Sequence, residues 1–229
     1  MARQYRQLVD VNRRAVVWAN ALKSKFASPT TRIVVNGVVG PRGDGYRVDA
    51  KMTSEEARTY HNPQIETFRD AGAEMVSAIT MNYVEEAIGI VKAAQANNIS
   101  VVISLTVETD GKLASGDTLG GAIEAVERAT GAAPAYYMVN CAHPTHFDHV
   151  LSGGASWTNR VRGLRANAST KSHAELDVAT ELDAGHPQEL GQQYQELRRR
   201  LPQLSVLGGC CGTDHRHIVA ICNACVSVQ

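Results

Sequence analysis

Near the C-terminal end of the chain, Leu-Gly-Gly-Cys-Cys-Gly (207–212) sets two cysteines, Cys210 and Cys211, side by side between glycines. Neighbouring side chains of an extended strand point to opposite faces. The pair therefore needs a turn if both thiols are to act together. A third cysteine, Cys141, closes the run Ala-Tyr-Tyr-Met-Val-Asn-Cys (135–141), which reads as another strand. Three thiols at two strand ends could converge on one soft metal. Zinc binds thiolates tetrahedrally, and three protein ligands leave a fourth position for water or substrate. Gly208, Gly209 and Gly212 would give such a turn its backbone freedom and its space. Zinc with three thiolates has a formal charge of about −1, which makes it a poor activator of water. It is better suited to binding a substrate thiol as thiolate, the nucleophilic form of sulfur. The natural reaction is attack of that sulfur on an alkyl donor.

Other readings compete. Paired buried cysteines also serve as small core residues. Cys222 and Cys225 form a C-x-x-C and could close a structural zinc site with Cys210 and Cys211. They also fall on an apolar helical pattern with Ile218, Val219 and Ile221, which favours packing. His143, His146 and His149 recur at spacings of three, and His215 and His217 follow the cysteine pair. A histidine-metal hydrolase is conceivable on those residues. Spacings of three drift around a helix, however, and Pro144 favours a turn at His143. Capping and surface roles are expected for most of these histidines. Glu108 and Asp110 fit either an acid–base pair or an exposed turn around Gly111.

The elements that must carry these groups alternate along the chain. Leu8, Val11, Ala15, Trp18 and Leu22 mark one amphipathic helix face. Residues 31–41 read as a buried strand ending in Gly-Pro. Thr53 and Glu56 have the spacing of a capping box, and Pro63 is expected to split or kink the helix that follows. Strands are then expected at 74–80, 100–106, 135–141, 160–168 and 204–209. Helices are expected at 84–98, at 119–130 capped by Asp117 or Thr118, from His146, at 187–201 and at 214–225. Six strands alternating with helices, with no hairpin signal, imply a parallel sheet with right-handed crossovers. No Gly-x-Gly-x-x-Gly or P-loop motif follows a strand. In an open doubly wound sheet or a (β/α)8 barrel alike, functional groups lie at the C-terminal strand ends. Those ends supply Asn36, Thr80, Thr106, Glu108, Asn140, Cys141, Asn167, Cys210 and Cys211.

Composition sets the outer limits. The chain has 229 residues, 44% hydrophobic and 20% charged, enough for a substantial core. Lys plus Arg equals Asp plus Glu at 23 each, which offers no electrostatic footprint for nucleic acid. No apolar run approaches the roughly 20 residues of a membrane span, and no leader pattern is visible. A cytoplasmic protein is the expectation. Five cysteines cannot all pair internally, and in a reducing compartment clustered thiols point to metal or reactivity.

Taken together, NGVVGPRGDGY (36–46), YHNPQIETFRDAGAE (60–74), VVISLTVETDGKLASGDTL (101–119), VNCAHP (139–144), GLRANAS (163–169) and LGGCCGTDHRHI (207–218) resemble the homocysteine S-methyltransferase family, in its zinc-dependent, cobalamin-independent branch. The resemblance runs in order over nearly the whole chain. It implies an α/β fold of the (β/α)8 type, with 1–229 as one barrel domain. It implies Zn2+ held by Cys141, Cys210 and Cys211. The implied reaction moves a methyl group from S-methylmethionine or S-adenosylmethionine to homocysteine, giving methionine; betaine-type donors occur in related enzymes. Two departures stand out. The family has two βα units ahead of the region matching Leu8, roughly 60 residues at about 30 per unit. About six of eight units are therefore expected here, with a homo-oligomer covering the exposed edge. The family also carries a Glu at the strand end where this chain has Ile79. Glu108 is the expected substitute, with Thr80 and Asn167 as further substrate contacts. A zinc-binding scaffold that has lost activity is the rival from a different class.

Overall fold

A computed structural model describes residues 2–226. Its six strands are β1 (Asn36–Val39), β2 (Met75–Met81), β3 (Ser100–Leu105), β4 (Tyr137–Asn140), β5 (Val161–Ala166) and β6 (Val206–Gly209). They form one parallel sheet in sequential order, β1 to β6, curled into a half-barrel. The helices are α1 (Ala2–Phe26), α2 (Ser54–Asp70), α3 (Val84–Ala96), α4 (Leu119–Thr130), α5 (Pro144–Leu151), α6 (His173–Asp177), α7 (Pro187–Arg200) and α8 (His215–Cys225). This is the α/β, barrel-type alternation expected from the sequence, with six βα units.

Local signals account for most boundaries. Thr53 and Glu56 make the expected reciprocal capping box at the start of α2. Thr118, rather than Asp117, caps α4 by accepting from Gly121 N. Asp214 caps α8. Pro63 neither splits nor ends α2, which continues from Ser54 to Asp70. The carbonyl that loses its partner there belongs to Thr59, which is exposed, so water can replace the lost bond. On the other side, Ala57, His61, Ile65 and Phe68 are buried. Gly89 of α3 permits the close approach of these two helices. A Cβ there would lie 2.4 Å from Ala57 Cβ and 2.6 Å from Ser54 O.

The middle of the sheet is buried on both faces, as parallel sheets require. Every residue of β4 is buried, and so is all of β3 after Ser100. The edges differ. β1 alternates, with Gly37 and Val39 buried and Asn36 and Val38 exposed. β6 is half-buried throughout.

The first helix forms over Ala2–Phe26, as the spacing predicts, but its apolar stripe is not its buried face. The stripe Leu8, Val11, Ala15, Trp18 and Leu22 does not face the core. Val11 is 63% exposed and Trp18 67%. Val16 is the buried residue. The inward side is fixed by polar contacts: Gln64 Nε2 donates to Asn12 Oδ1 at 3.1 Å, Asn20 Nδ2 donates to Gly72 O at 3.3 Å, and Lys23 pairs with Glu74 at 2.6 Å. Apolar periodicity finds the greasy face of a helix, but not the face its neighbours hold.

Candidate metal centre

The three cysteines named by the sequence come together at the C-terminal end of the sheet. Cys141 follows β4; Cys210 and Cys211 follow β6. Cys141 Sγ lies 2.7 Å from Cys210 Sγ and 3.8 Å from Cys211 Sγ. All three sulfurs lie within 4.8 Å of one another. Thiolate–zinc bonds of about 2.3 Å at tetrahedral angles put sulfurs about 3.8 Å apart. The Cys141–Cys211 separation matches that edge, whereas the Cys141–Cys210 separation is about 1 Å shorter and would have to open for both sulfurs to bind one ion. Among the described residues this is the only such convergence of three His, Cys, Asp or Glu side chains. The histidines do not form a site of their own. His143 caps α5, its Nδ1 accepting from Thr145 N, and burial lowers its pKa to about 4. His146 binds Thr170 O. His217 donates to Ala184 O and lies against Asp214.

The backbone holds the sulfurs in place against strain. Cys141 has φ +54, a left-handed conformation that non-glycine residues seldom adopt. Its carbonyl accepts from Asn167 Nδ2 at 3.0 Å and from His173 Nε2 at 2.5 Å, and its N–H donates to Arg165 O. Such over-determination is what keeps a strained residue in place. Cys210 N donates to Ala166 O, and Cys211 N to Asn167 Oδ1 at 3.2 Å. One asparagine amide therefore ties the Cys141 loop to the Cys211 loop. Of the glycines, Gly212 has φ +76 and a Cβ there would meet Asp183 O at 2.8 Å. Gly208 differs from expectation: a Cβ there would make only an ordinary 3.6 Å contact with Arg165.

The thiols perturb one another. Hydrogen bonds from Cys210 and Cys211 push the Cys141 thiol far down, with the Tyr46 hydroxyl and Asn140 adding to this. The bond to Cys141, the largest cause in each case, pushes Cys210 and Cys211 up. Burial, followed by the bond to Cys141, raises the Tyr46 phenol.

The other named residues have mixed surroundings. Thr80, at φ +59, gives its N–H to Asn140 Oδ1 and accepts at its hydroxyl from Asn140 Nδ2, both at 2.9 Å. Asn140 Oδ1 also accepts from Ser104 Oγ. Glu108 lies in a turn, where Gly111 N donates to its carbonyl, and its carboxylate contacts His173 Nδ1 at 2.9 Å. A cavity of about 610 Å³ opens beside the thiols, lined by Tyr46, Glu108, Asn167, His173 and Cys211 among others. Tyr46 and His173, with ring centroids 4.0 Å apart, are not among the site residues expected from the sequence, although Tyr46 closes the family-like run 36–46. The capping pair Ser172 and Glu175 after β5 was the available signal, since it starts a helix at a functional strand end.

The family model described as homocysteine S-methyltransferase matches residues 2–225. The chain belongs to the homocysteine S-methyltransferase family. Methionine synthase of Mycobacterium leprae (strain TN) is 26% identical over 235 residues, and that of Mycobacterium tuberculosis (strain ATCC 25618 / H37Rv) is 24% identical over 240. These matches take in 93% and 96% of this chain but only 18% of each relative. Among solved structures, the homocysteine methyltransferase MmuM from Escherichia coli in its apo form superposes with a TM-score of 0.71 at 18% identity, over 96% of this chain and 75% of that one. Its metallated form gives 0.64 at 20% identity, over 88% and 64%. The superposition supports the barrel-type fold. Among the described residues of this family member, no helix is long and apolar enough to cross a membrane.

Proposed function

We propose that this chain is a zinc-dependent thiol S-methyltransferase that moves a methyl group from S-methylmethionine or S-adenosylmethionine to homocysteine, forming methionine. The observation that carries this reading is the convergence of Cys141, Cys210 and Cys211 at the strand ends of a family member. Those three thiolates would hold the metal. When bound, zinc lowers the pKa of an acceptor thiol and keeps its sulfur nucleophilic. The chain's own groups do the rest. Tyr46, Asn167 and Glu108 line the cavity that receives the acceptor beside Cys211. Asn167 and His173 hold the Cys141 carbonyl, and so keep its strained backbone in register. Thr80 is engaged by Asn140 through its N–H and its hydroxyl, and it does not line that cavity. An acceptor sulfur lone pair attacks the donor methyl carbon as the donor's S–CH3 bond breaks. The donor leaves as a neutral thioether, and the acceptor's thiol proton passes to solvent.

Residues 1–229 are read as one barrel-type domain, with two small-molecule substrates and no nucleic-acid or membrane partner. A second copy would cover the apolar outer face of α1. Metal content and methyl transfer to homocysteine, measured for the parent and Cys210→Ala with each donor, test the reading. About one zinc per chain and turnover in the parent, both lost in the variant, are expected. Equal metal in both would sink it. Zinc without turnover by either donor would leave the scaffold reading in its place.

A further inference from the structure

His173 is the first residue of α6, and its side chain is 10% exposed. Three other loops meet on this one ring. Nδ1 lies 2.9 Å from Glu108 Oε1, in the loop after β3. Nε2 donates to Cys141 O, after β4. One ring face packs on Tyr46, after β1, with the planes 32° apart. Both nitrogens face acceptors, so the imidazole bridges a carboxylate to the backbone of a thiolate-bearing residue.

We propose that His173 is a positioning residue that makes this site select thiols carrying an α-ammonium group. The inference rests on the reading of the site as a thiol-binding centre. An ammonium taken out of water needs an anionic partner. Three carboxylates line the cavity: Asp44, Glu108 and Asp177. Asp44 accepts from Tyr46 N and lies 3.7 Å from Arg47. Asp177 stands exposed at the rim. Glu108 is two-thirds buried, and only its Oε1 is engaged by His173. Its other oxygen is the acceptor left for a ligand. The loop beyond it, Thr109 and Asp110, is exposed, so the carboxylate is not held by packing from its own segment. His173 holds it, and through Cys141 O holds it at a set distance from the sulfurs. The thiol end and the ammonium end of an acceptor are thereby given a fixed separation.

The test is calorimetric titration of zinc-loaded protein with homocysteine and with 4-sulfanylbutanoate, the same thiol without its amino group. The variants are His173→Ala, His173→Gln and Glu108→Gln. The parent is expected to prefer homocysteine by about tenfold or more, the scale of one charge-assisted hydrogen bond. His173→Ala and Glu108→Gln should bring that ratio close to one. Binding of 4-sulfanylbutanoate should change less than about twofold, about 0.3 of a logarithmic unit against the full unit expected for homocysteine. His173→Gln, which keeps a donor toward Glu108, should recover part of the preference. Zinc content should be unchanged in Glu108→Gln, which leaves the bond from His173 to the Cys141 carbonyl in place, and the His173 variants are titrated at saturating zinc. Survival of the preference in His173→Ala, or equal weakening of both thiols, overturns the proposal. Glu108→Gln, on an exposed loop, keeps the test decisive if His173→Ala fails to fold. A parent that binds both thiols without preference removes this inference alone; a parent that binds neither removes the thiol-binding reading with it.

Discussion

The two flanks of the curled sheet solve opposite problems. At the β4–β6 flank, strained backbone and polar side chains are buried together and hydrogen-bonded across loops. Cys141 sits at positive φ and is braced by Asn167, and Asn140 of this flank reaches across to brace Thr80, at positive φ on β2. At the β1–α1 flank the backbone is regular, yet Val11, Val17, Trp18, Val34 and Val38 stand in solvent. The first flank spends stability on geometry, which is what a site that must hold three sulfurs requires. The second leaves apolar surface uncovered, which is what a contact surface offers. The comparison teaches that order in this molecule follows hydrogen bonding more closely than hydrophobicity.

Asn140→Ala should break the comparison most strongly. Asn140 is 1% exposed and serves Thr80 N, Thr80 Oγ1 and Ser104 Oγ. Its loss leaves buried groups unsatisfied, at about 1–3 kcal/mol for each group stranded, and frees Thr80 from its brace. Urea unfolding should show a loss of about 3 kcal/mol or more. A loss under about 1 kcal/mol would mean the polar brace is not what stabilises this flank.

Asn167→Ala comes next. It removes the donor to Cys141 O and the acceptor for Cys211 N, with about 1–2 kcal/mol lost. The sharper readout is zinc affinity by chelator competition, expected to fall about 10-fold to 100-fold, as for other groups that orient metal ligands. Asn167→Asp keeps the acceptor for Cys211 N and loses the donor, so it should fall between parent and Ala. Equal affinity in all three would show that the two loops do not need the tie.

Much of this was readable before any coordinates. The six strands and their helices follow from β-branched runs and from caps such as Thr53, Thr118 and Asp214, because those signals are local. The cysteines are legible because Cys-Cys beside glycine is rare and sits where strands end. Tyr46 and His173 are not, because each reaches across from a different loop, and its partners are set by the order of strands. Glu108 could be named, but the imidazole that orients it could not. The buried face of α1 is not legible for a related reason. Its contacts to α2 and to the loop before β2 run through Asn12, Asn20 and Lys23, and polar packing leaves no apolar period in the sequence.

The smallest effect expected is the one that sharpens the β1–α1 side. Val16 and Trp18 are two residues apart on α1, at 3% and 67% exposure. Their side chains point to different sides of the helix. Val16→Ala removes buried methyl groups and should cost about 1–2 kcal/mol. Trp18→Ser removes a far larger side chain from solvent and should change the stability of a monomer by no more than about 0.5 kcal/mol. Binding of a hydrophobic dye should fall in Trp18→Ser and stay level in Val16→Ala. Measured at several protein concentrations, the same pair reports on association. If a second copy covers α1, Trp18→Ser will destabilise the protein more as concentration rises, because mass action adds the lost contact to folding. If its effect stays small at every concentration and sedimentation shows a monomer, the stripe is bare in solution and the proposed second copy does not bind there.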